Sequence, residues 1–401
     1  NSEDYSTEGE NAISEDVFYM PSKLLEIGAN AFKNCTSLLG AHFNKALEKV
    51  GNEAFYSASV FENLTLDEDS ELSSIGTGAF QYTKLKSNTS QILVLPNLVS
   101  VGDRAFANIT ANFTQFKFPS TIKTIGANAF MSNTSVTKIE FDEGVEIDSM
   151  GEGAFQGCTY LTTIELPESL KTIPAKAFMG CTRLLYNNDF IIGKNVETIG
   201  EGAFAIYTNN ATYSRKKIVV DKENENFAVI DLQDFNTTSS SGIGHGLLTN
   251  ADNTVVYAYF GSFNKSSYFG EKISDSTAEA EKIQSEKFRF YDKTGNPIQS
   301  ITEIKSYAFA GVAFTAIRLP MTVKTFGEYI FFESEDVTDM YIESITWTWQ
   351  SKSFSKKIDG SPEVRVMIYA TADGSDADRE NFKMSLVADN IDVGYASASD
   401  N

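Results

Sequence analysis

One dipeptide constrains this chain more than any other feature. Ala-Phe recurs at Phe32, Phe55, Phe80, Phe106, Phe130, Phe155, Phe178, Phe204 and Phe309, and Tyr329-Ile330-Phe331 is a worn tenth copy. The first eight copies are 23, 25, 26, 24, 25, 23 and 26 residues apart; a gap of 105 follows, then one of 22. A fixed period of this length marks a chain built by stacking one small unit on the next. The 401 residues therefore read as one elongated array rather than as two or three globules.

The copies agree beyond the dipeptide. The cleanest unit runs Leu161-x-x-Ile164-x-Leu166-Pro167-x-x-Leu170-x-x-Ile173-x-x-x-Ala177-Phe178-x-x-Cys181-x-x-Leu184. Its Ile-x-Leu alternates with period two, which suits a short strand with one buried face. Pro ends the strand by removing a backbone donor. A Gly usually follows the second Ile, as at Gly28, Gly51, Gly76, Gly102, Gly126, Gly151, Gly200 and Gly327, and is expected to form a tight corner at positive φ. A turn or short helical segment then drives the Phe inward. One such unit cannot bury its own apolar side, so stacking must align Phe on Phe and Ile on Ile.

These residues closely resemble the BspA-like leucine-rich repeat family, also seen in treponemal repeat proteins, over about residues 17–211 and 301–343. The resemblance implies a β-rich α/β solenoid: a right-handed superhelix with a concave parallel sheet, short turns or 3-10 segments on its other faces, a β-hairpin insertion and a C-terminal cap. It also implies a non-enzymatic bacterial protein, secreted or displayed on the cell surface, that adheres to an extracellular protein or another surface macromolecule. The chain starts at Asn1 rather than Met, which fits a removed leader and lipid anchoring through it. A monomer is expected.

The divisions expected along the chain are an acidic tail at 1–16, repeats at 17–211, a long irregular repeat or insertion at 212–300, last repeats at 301–343 and a cap at 344–401. Within the insertion, 226–230 and 246–260 read as hairpin strands, 237–242 as a flexible loop, and 271–287 as a short surface helix.

Charge narrows the partners. Asp and Glu number 54 against 33 Lys and Arg, a formal net charge of −21. That excess opposes nonspecific attraction to nucleic acid or an anionic membrane. No apolar run is long enough to span a bilayer. His42 and His245 lie far apart, and the HExxH and Cys-x-x-Cys patterns are missing, so neither a metal nor another cofactor is expected.

Four groups of residues are candidates for chemistry or contact. Cys35, Cys158 and Cys181 share one repeat position and read as small buried ladder residues. The middle residue of each Ile-x-Leu points away from the core. That column runs Tyr19, His42, Thr65, Val94, Lys117, Glu140, Glu165, Ile191, Val219, Arg318 and Tyr341, and reads either as a varied surface for a macromolecular partner or as a merely solvated sheet face. The alternative is a glycan site using Tyr257, Tyr259, Trp347 or Trp349, although the tryptophans also suit an end cap. The acidic run 373–380 could offer oxygens to calcium or be a solvated loop. Nothing in the spacing singles out a catalytic carboxylate pair.

Overall fold

The computed structural model describes residues 17–86, 92–110, 113–185, 188–206, 218–232, 246–260, 287–312, 314, 316–350, 352–357, 364–369 and 372–396. The tail 1–16, the loop 237–242, His245 and all but the end of the expected helix 271–287 lie outside these residues. The chain is a parallel β-solenoid of about 12 turns with almost no helix.

Each regular turn carries two strands. The first is the expected Ile-x-Leu strand, as at Gly40–Phe43, Asn63–Leu66, Gln115–Phe118 and Lys138–Phe141. The second was not foreseen. The Leu-x-x-Ile segment, to which the sequence pattern assigned no element, ends in a two-residue strand. Six of these, from Glu26–Ile27 to Ser149–Met150, form a continuous parallel sheet. In it Ile125 lies between Val101 and Met150. The Gly that follows donates its N–H to the turn before, as from Gly76 to the Val50 carbonyl at 2.8 Å.

That Gly also corrects an expectation. None of Gly51, Gly76, Gly102, Gly126, Gly151 or Gly200 is at positive φ. A Cβ on Gly126 would lie 2.5 Å from the Asp103 amide nitrogen, and one on Gly151 2.3 Å from that of Ala127. Glycine is required because adjacent turns touch backbone to backbone. Gly28, the first of the series, has nothing within 4 Å of the same point. The left-handed residues fall two positions later, for example Asn128 at φ 55° and Gly153 at φ 61°.

The Phe column lies on the third side. From Phe32 to Phe204, each ring stacks on the next at centroid distances of 5.1–5.9 Å. The spacing follows the strand separation of about 4.8 Å. From Phe32 to Phe178 each ladder Phe amide also donates to the Ala carbonyl of the next turn, as from Phe130 to Ala154 at 2.8 Å. Turns are thus hydrogen-bonded to their neighbours on up to three sides, and one apolar core runs from Met20 to Phe260.

The region of the 105-residue gap adds an antiparallel meander, Phe227–Asp231, Gly246–Asn250 and Val255–Phe260. Asn250 holds its second turn by accepting from the amides of Thr254 and Val255. Period-two alternation gives this meander two buried faces. Leu248, Ala258 and Phe260 join the core of the preceding repeats, whereas Leu247, Val256 and Tyr259 join the core of the following ones. Val255–Phe260 then pairs in parallel with Glu303–Ile304. Tyr259 takes a ladder position: its ring stacks on Phe309 at 5.9 Å and its amide donates to Ala308 at 2.7 Å. On the turn side Met179 and Ala205 share an apolar cluster with Ala310, Tyr329 and Phe332, so repeats on either side of the meander also meet directly.

At the C-terminal end, Arg365–Tyr369 and Val393–Ala396 add two parallel strands beyond Asp339–Ile342. The helix Asp376–Ala388 connects them and buries Phe382 and Leu386. Ser375 and Asp378 form its capping box.

The stacking makes two expectations for urea unfolding. Phe130→Ala costs about 3–5 kcal/mol through the lost contacts and the cavity left in the column. Gly126→Ala costs about 1–3 kcal/mol by forcing two backbones apart, while Gly28→Ala stays within about 0.5 kcal/mol. Equal effects at the two glycines would contradict the close-approach explanation.

Candidate interaction surface

The strand-centre column is present, but it is not one stripe. Hydrogen-bonded pairing divides it into patches: Tyr19, His42 and Thr65; then Val94, Lys117 and Glu140 with Glu165 at the end; then Ile191 and Val219; and, beyond the meander, Arg318 and Tyr341. Among the described residues, the sheet ends after Asn63–Leu66 and again after Thr163–Ile164. The cause is loop length. From the ladder Phe to the strand residue beneath it there are 9 positions in Phe55 to Leu64 and in Phe155 to Ile164, but 13 in Phe80 to Leu93 and 12 in Phe178 to Phe190. At both breaks the second strand row and the Phe column continue. The period of the Phe alone does not register this internal spacing.

The patches differ in chemistry. Tyr19 is 50% exposed, and its ring lies 5.2 Å from that of His42. His42 Nδ1 is 2.8 Å from Thr65 Oγ1 and its Nε2 is 3.1 Å from Asp67 Oδ1, so the imidazole is held on both sides. Lys117 pairs with Asp142 at 2.6 Å, and Lys138 pairs with Glu140. Side-chain hydrogen bonding to Asp142 holds the Lys117 ammonium above its ordinary pKa. Between these charges stand exposed apolar side chains: Val94 is 48% exposed, Ile191 59% and Val219 38%. Arg318 pairs with Glu343 and lies 5.0 Å from the Tyr369 ring centre. Tyr341 is half-buried, 5.7 Å from the same ring. The flanking partners Asp67, Asp142 and Glu343 sit one repeat away, and no sequence signal in a single unit picks them out.

Of the four aromatic residues of the glycan alternative, Tyr259 and Trp347 are buried, which corrects the expectation for those two. Tyr259 is buried as a ladder rung. Trp347 is buried against Phe326 at 4.6 Å and Phe382 at 5.6 Å. Trp349 packs edge-on to Phe382, and its Nε1 donates to Asp389 at 2.8 Å. Tyr257 is half-buried against Phe227. The tryptophans instead hold the terminal helix to the stack.

The acidic run is likewise engaged by the protein. Asp373 accepts from the Ile345 amide at 2.6 Å, Asp378 caps the helix, Asp376 pairs with Arg379, and Glu380 accepts from the Tyr395 hydroxyl at 2.5 Å. That last bond lowers the Glu380 pKa and raises that of Tyr395. Among the described residues no group of three or more His, Cys, Asp or Glu could hold a metal ion, and no helix is long and apolar enough to cross a membrane.

The repeat sequence matches the model of the BspA-type leucine-rich repeat region over residues 10–137, 99–214, 125–253 and 264–360. The chain belongs to the BspA-type leucine-rich repeat family. No curated protein matches it. Solved structures similar to it include a leucine-rich repeat protein from Bacteroides ovatus, 16% identical with a TM-score of 0.44, covering 95% of this chain and 92% of that one. A leucine-rich cell surface protein from Faecalibacterium prausnitzii is 14% identical with a TM-score of 0.47, covering 96% and 89%. The pneumococcal vaccine antigen PcpA is 15% identical with a TM-score of 0.38, covering 98% and 91%.

The family's Cys position has two environments in this chain. Cys158 and Cys181 are buried, and their Sγ atoms donate to the carbonyls of Phe130 and Phe155, each at 3.1 Å. Burial pushes the Cys158 thiol up to about 12 and that of Cys181 well above its ordinary value. Cys35, near the N-terminal end of the stack, is only half-buried, which corrects the expectation of three equivalent core thiols. A disulfide-exchange reagent at pH 8 should therefore react promptly with Cys35, and with the other two only after unfolding. Prompt reaction of all three would contradict this placement.

Proposed function

We propose that this BspA-type repeat protein is a non-enzymatic binding protein, secreted or displayed on a bacterial surface, that holds a macromolecular partner against its strand face. The carrying observation is the exposure of Tyr19, Val94, Ile191 and Val219 on a hydrogen-bonded scaffold. Large apolar side chains left uncovered among charged ones are the usual makings of a contact surface. The backbone beneath them is fixed by turn-to-turn pairing, so docking requires little ordering of the scaffold, which favours affinity.

The charged members of the column contribute selectivity. Lys117 and Glu140 each have an ion-pair partner beside the column, which holds their orientation. A partner must match this order of signs along the solenoid. Surface display fits the family to which the chain belongs, and a protein or glycoprotein outside the cell is the fitting class of partner.

Binding to a panel of immobilised extracellular matrix proteins tests the reading. The wild-type chain is expected to capture at least one of them. Val94→Glu and Tyr19→Ala are each expected to weaken that capture about tenfold or more without lowering the melting temperature. Capture that both variants leave unchanged would place the contact elsewhere.

A further inference from the structure

The second break in the strand face does more than divide the column. Thr163–Ile164 is the last strand of one sheet, and Phe190–Ile192 opens a two-stranded sheet with Ile218–Val220. The Asn188 side chain crosses the break, donating to Thr163 Oγ1 at 3.0 Å. The break opens into a cleft of about 750 Å³, with Thr163, Glu165 and Leu166 on one wall and Phe190 and Ile191 on the other. A second cleft, of about 470 Å³, lies along Val219 and shares Asp221 and Lys222 with the first. Ile191 and Val219, directly paired in register and both exposed, therefore form an apolar ridge between two hollows.

The rim is acidic. The larger cleft is lined by the carboxylates Glu165, Glu168, Asp189, Asp221 and Glu223 against Lys138, Lys194 and Lys222. Two of those lysines are already committed: Lys138 pairs with Glu140, and Lys194 lies 3.7 Å from Glu168 and 4.0 Å from Glu223. The local excess has the sign of the whole chain, which carries −21. An occupant must bring apolar groups to the ridge and positive charge to the rim at once.

We propose that this double cleft docks an extended, basic polypeptide segment whose side chains alternate between apolar and cationic. Period-two alternation of an extended chain sends successive side chains to opposite sides. It sets apolar groups against Ile191 and Val219 and turns the lysines or arginines toward the carboxylates. Long-range attraction between a basic segment and the acidic chain speeds the encounter and weakens as salt rises. This rests on the strand-face reading above and names the chemistry of one partner segment.

The probe is a fluorescein-labelled twelve-residue peptide alternating Lys and Val, with Lys/Ser and Glu/Val peptides as comparators, followed by anisotropy on the full chain. The Lys/Val peptide is expected to bind, and both comparators to bind at least tenfold more weakly. Ile191→Ser, Ile191→Asp and the double variant Glu165→Lys/Glu168→Lys are each expected to lose tenfold or more with an unchanged melting temperature. These side chains are exposed, so the variants test docking rather than folding. Absence of Lys/Val binding, equal binding of Lys/Ser, or full binding by the variants would overturn the proposal. If the peptide fails while Val94→Glu still abolishes capture of a matrix protein, the docking cleft falls and the strand-face function stands.

Discussion

Backbone contact between successive turns is the constraint on which this structure depends. At the glycines after the second strand from Gly51 onward, successive turns approach so closely that a Cβ would sit within 3 Å of the neighbouring backbone. That approach allows amides of one turn to reach carbonyls of its neighbour. It also sets the ring-to-ring distances of the Phe column. The hydrogen bonds supply direction and register, and the buried Phe, Ile and Leu side chains supply most of the stabilisation. A unit of this length has too little core to fold alone, so stability and shape are properties of the stack.

With the strands and the ladder fixed, loop length is what remains variable. Extra residues between the ladder Phe and the strand below it open the strand face without disturbing the other two sides. The chain uses this freedom at 80–93 and 178–190. It uses a larger version of it around 204–309, where a β-meander is buried on both faces between two stretches of core. Beyond the gap in the Ala-Phe series, Tyr259 stacks on Phe309 and begins the aromatic column of the following repeats. The scaffold is uniform, and the surface it presents is divided into patches of different charge and shape.

Much of the fold was legible in one sequence because the ladder residues report directly on burial. Phe at a fixed interval, Ile-x-Leu with period two and Pro at the strand end each have a single physical reading. The second strand row was hidden because two residues are too few for a periodic pattern. The role of glycine was misassigned because a corner and a close approach ask for the same residue. Tyr259 was taken for a surface aromatic because its flanking residues lack the repeat's spacing. The contact column was readable residue by residue, since alternation decides which side chain faces out. Its division was not, because it depends on pairing between turns. Trp347 and Trp349 were ambiguous for a related reason: only the terminal helix, packed on them through Phe382, decides between a wet and a dry face.

The most direct test of a strand-face binding surface is site-specific photo-crosslinking of the chain to a captured extracellular partner. A photoreactive side chain would be placed in turn at Val94 and Ile191 on the strand face, and at Tyr56 and Tyr82 on the turn side. Crosslinks from positions 94 and 191, with none from 56 and 82, are expected. Crosslinks confined to 56 and 82 would show that the partner lies on the opposite side of the solenoid and would contradict the proposed role of the strand-centre column.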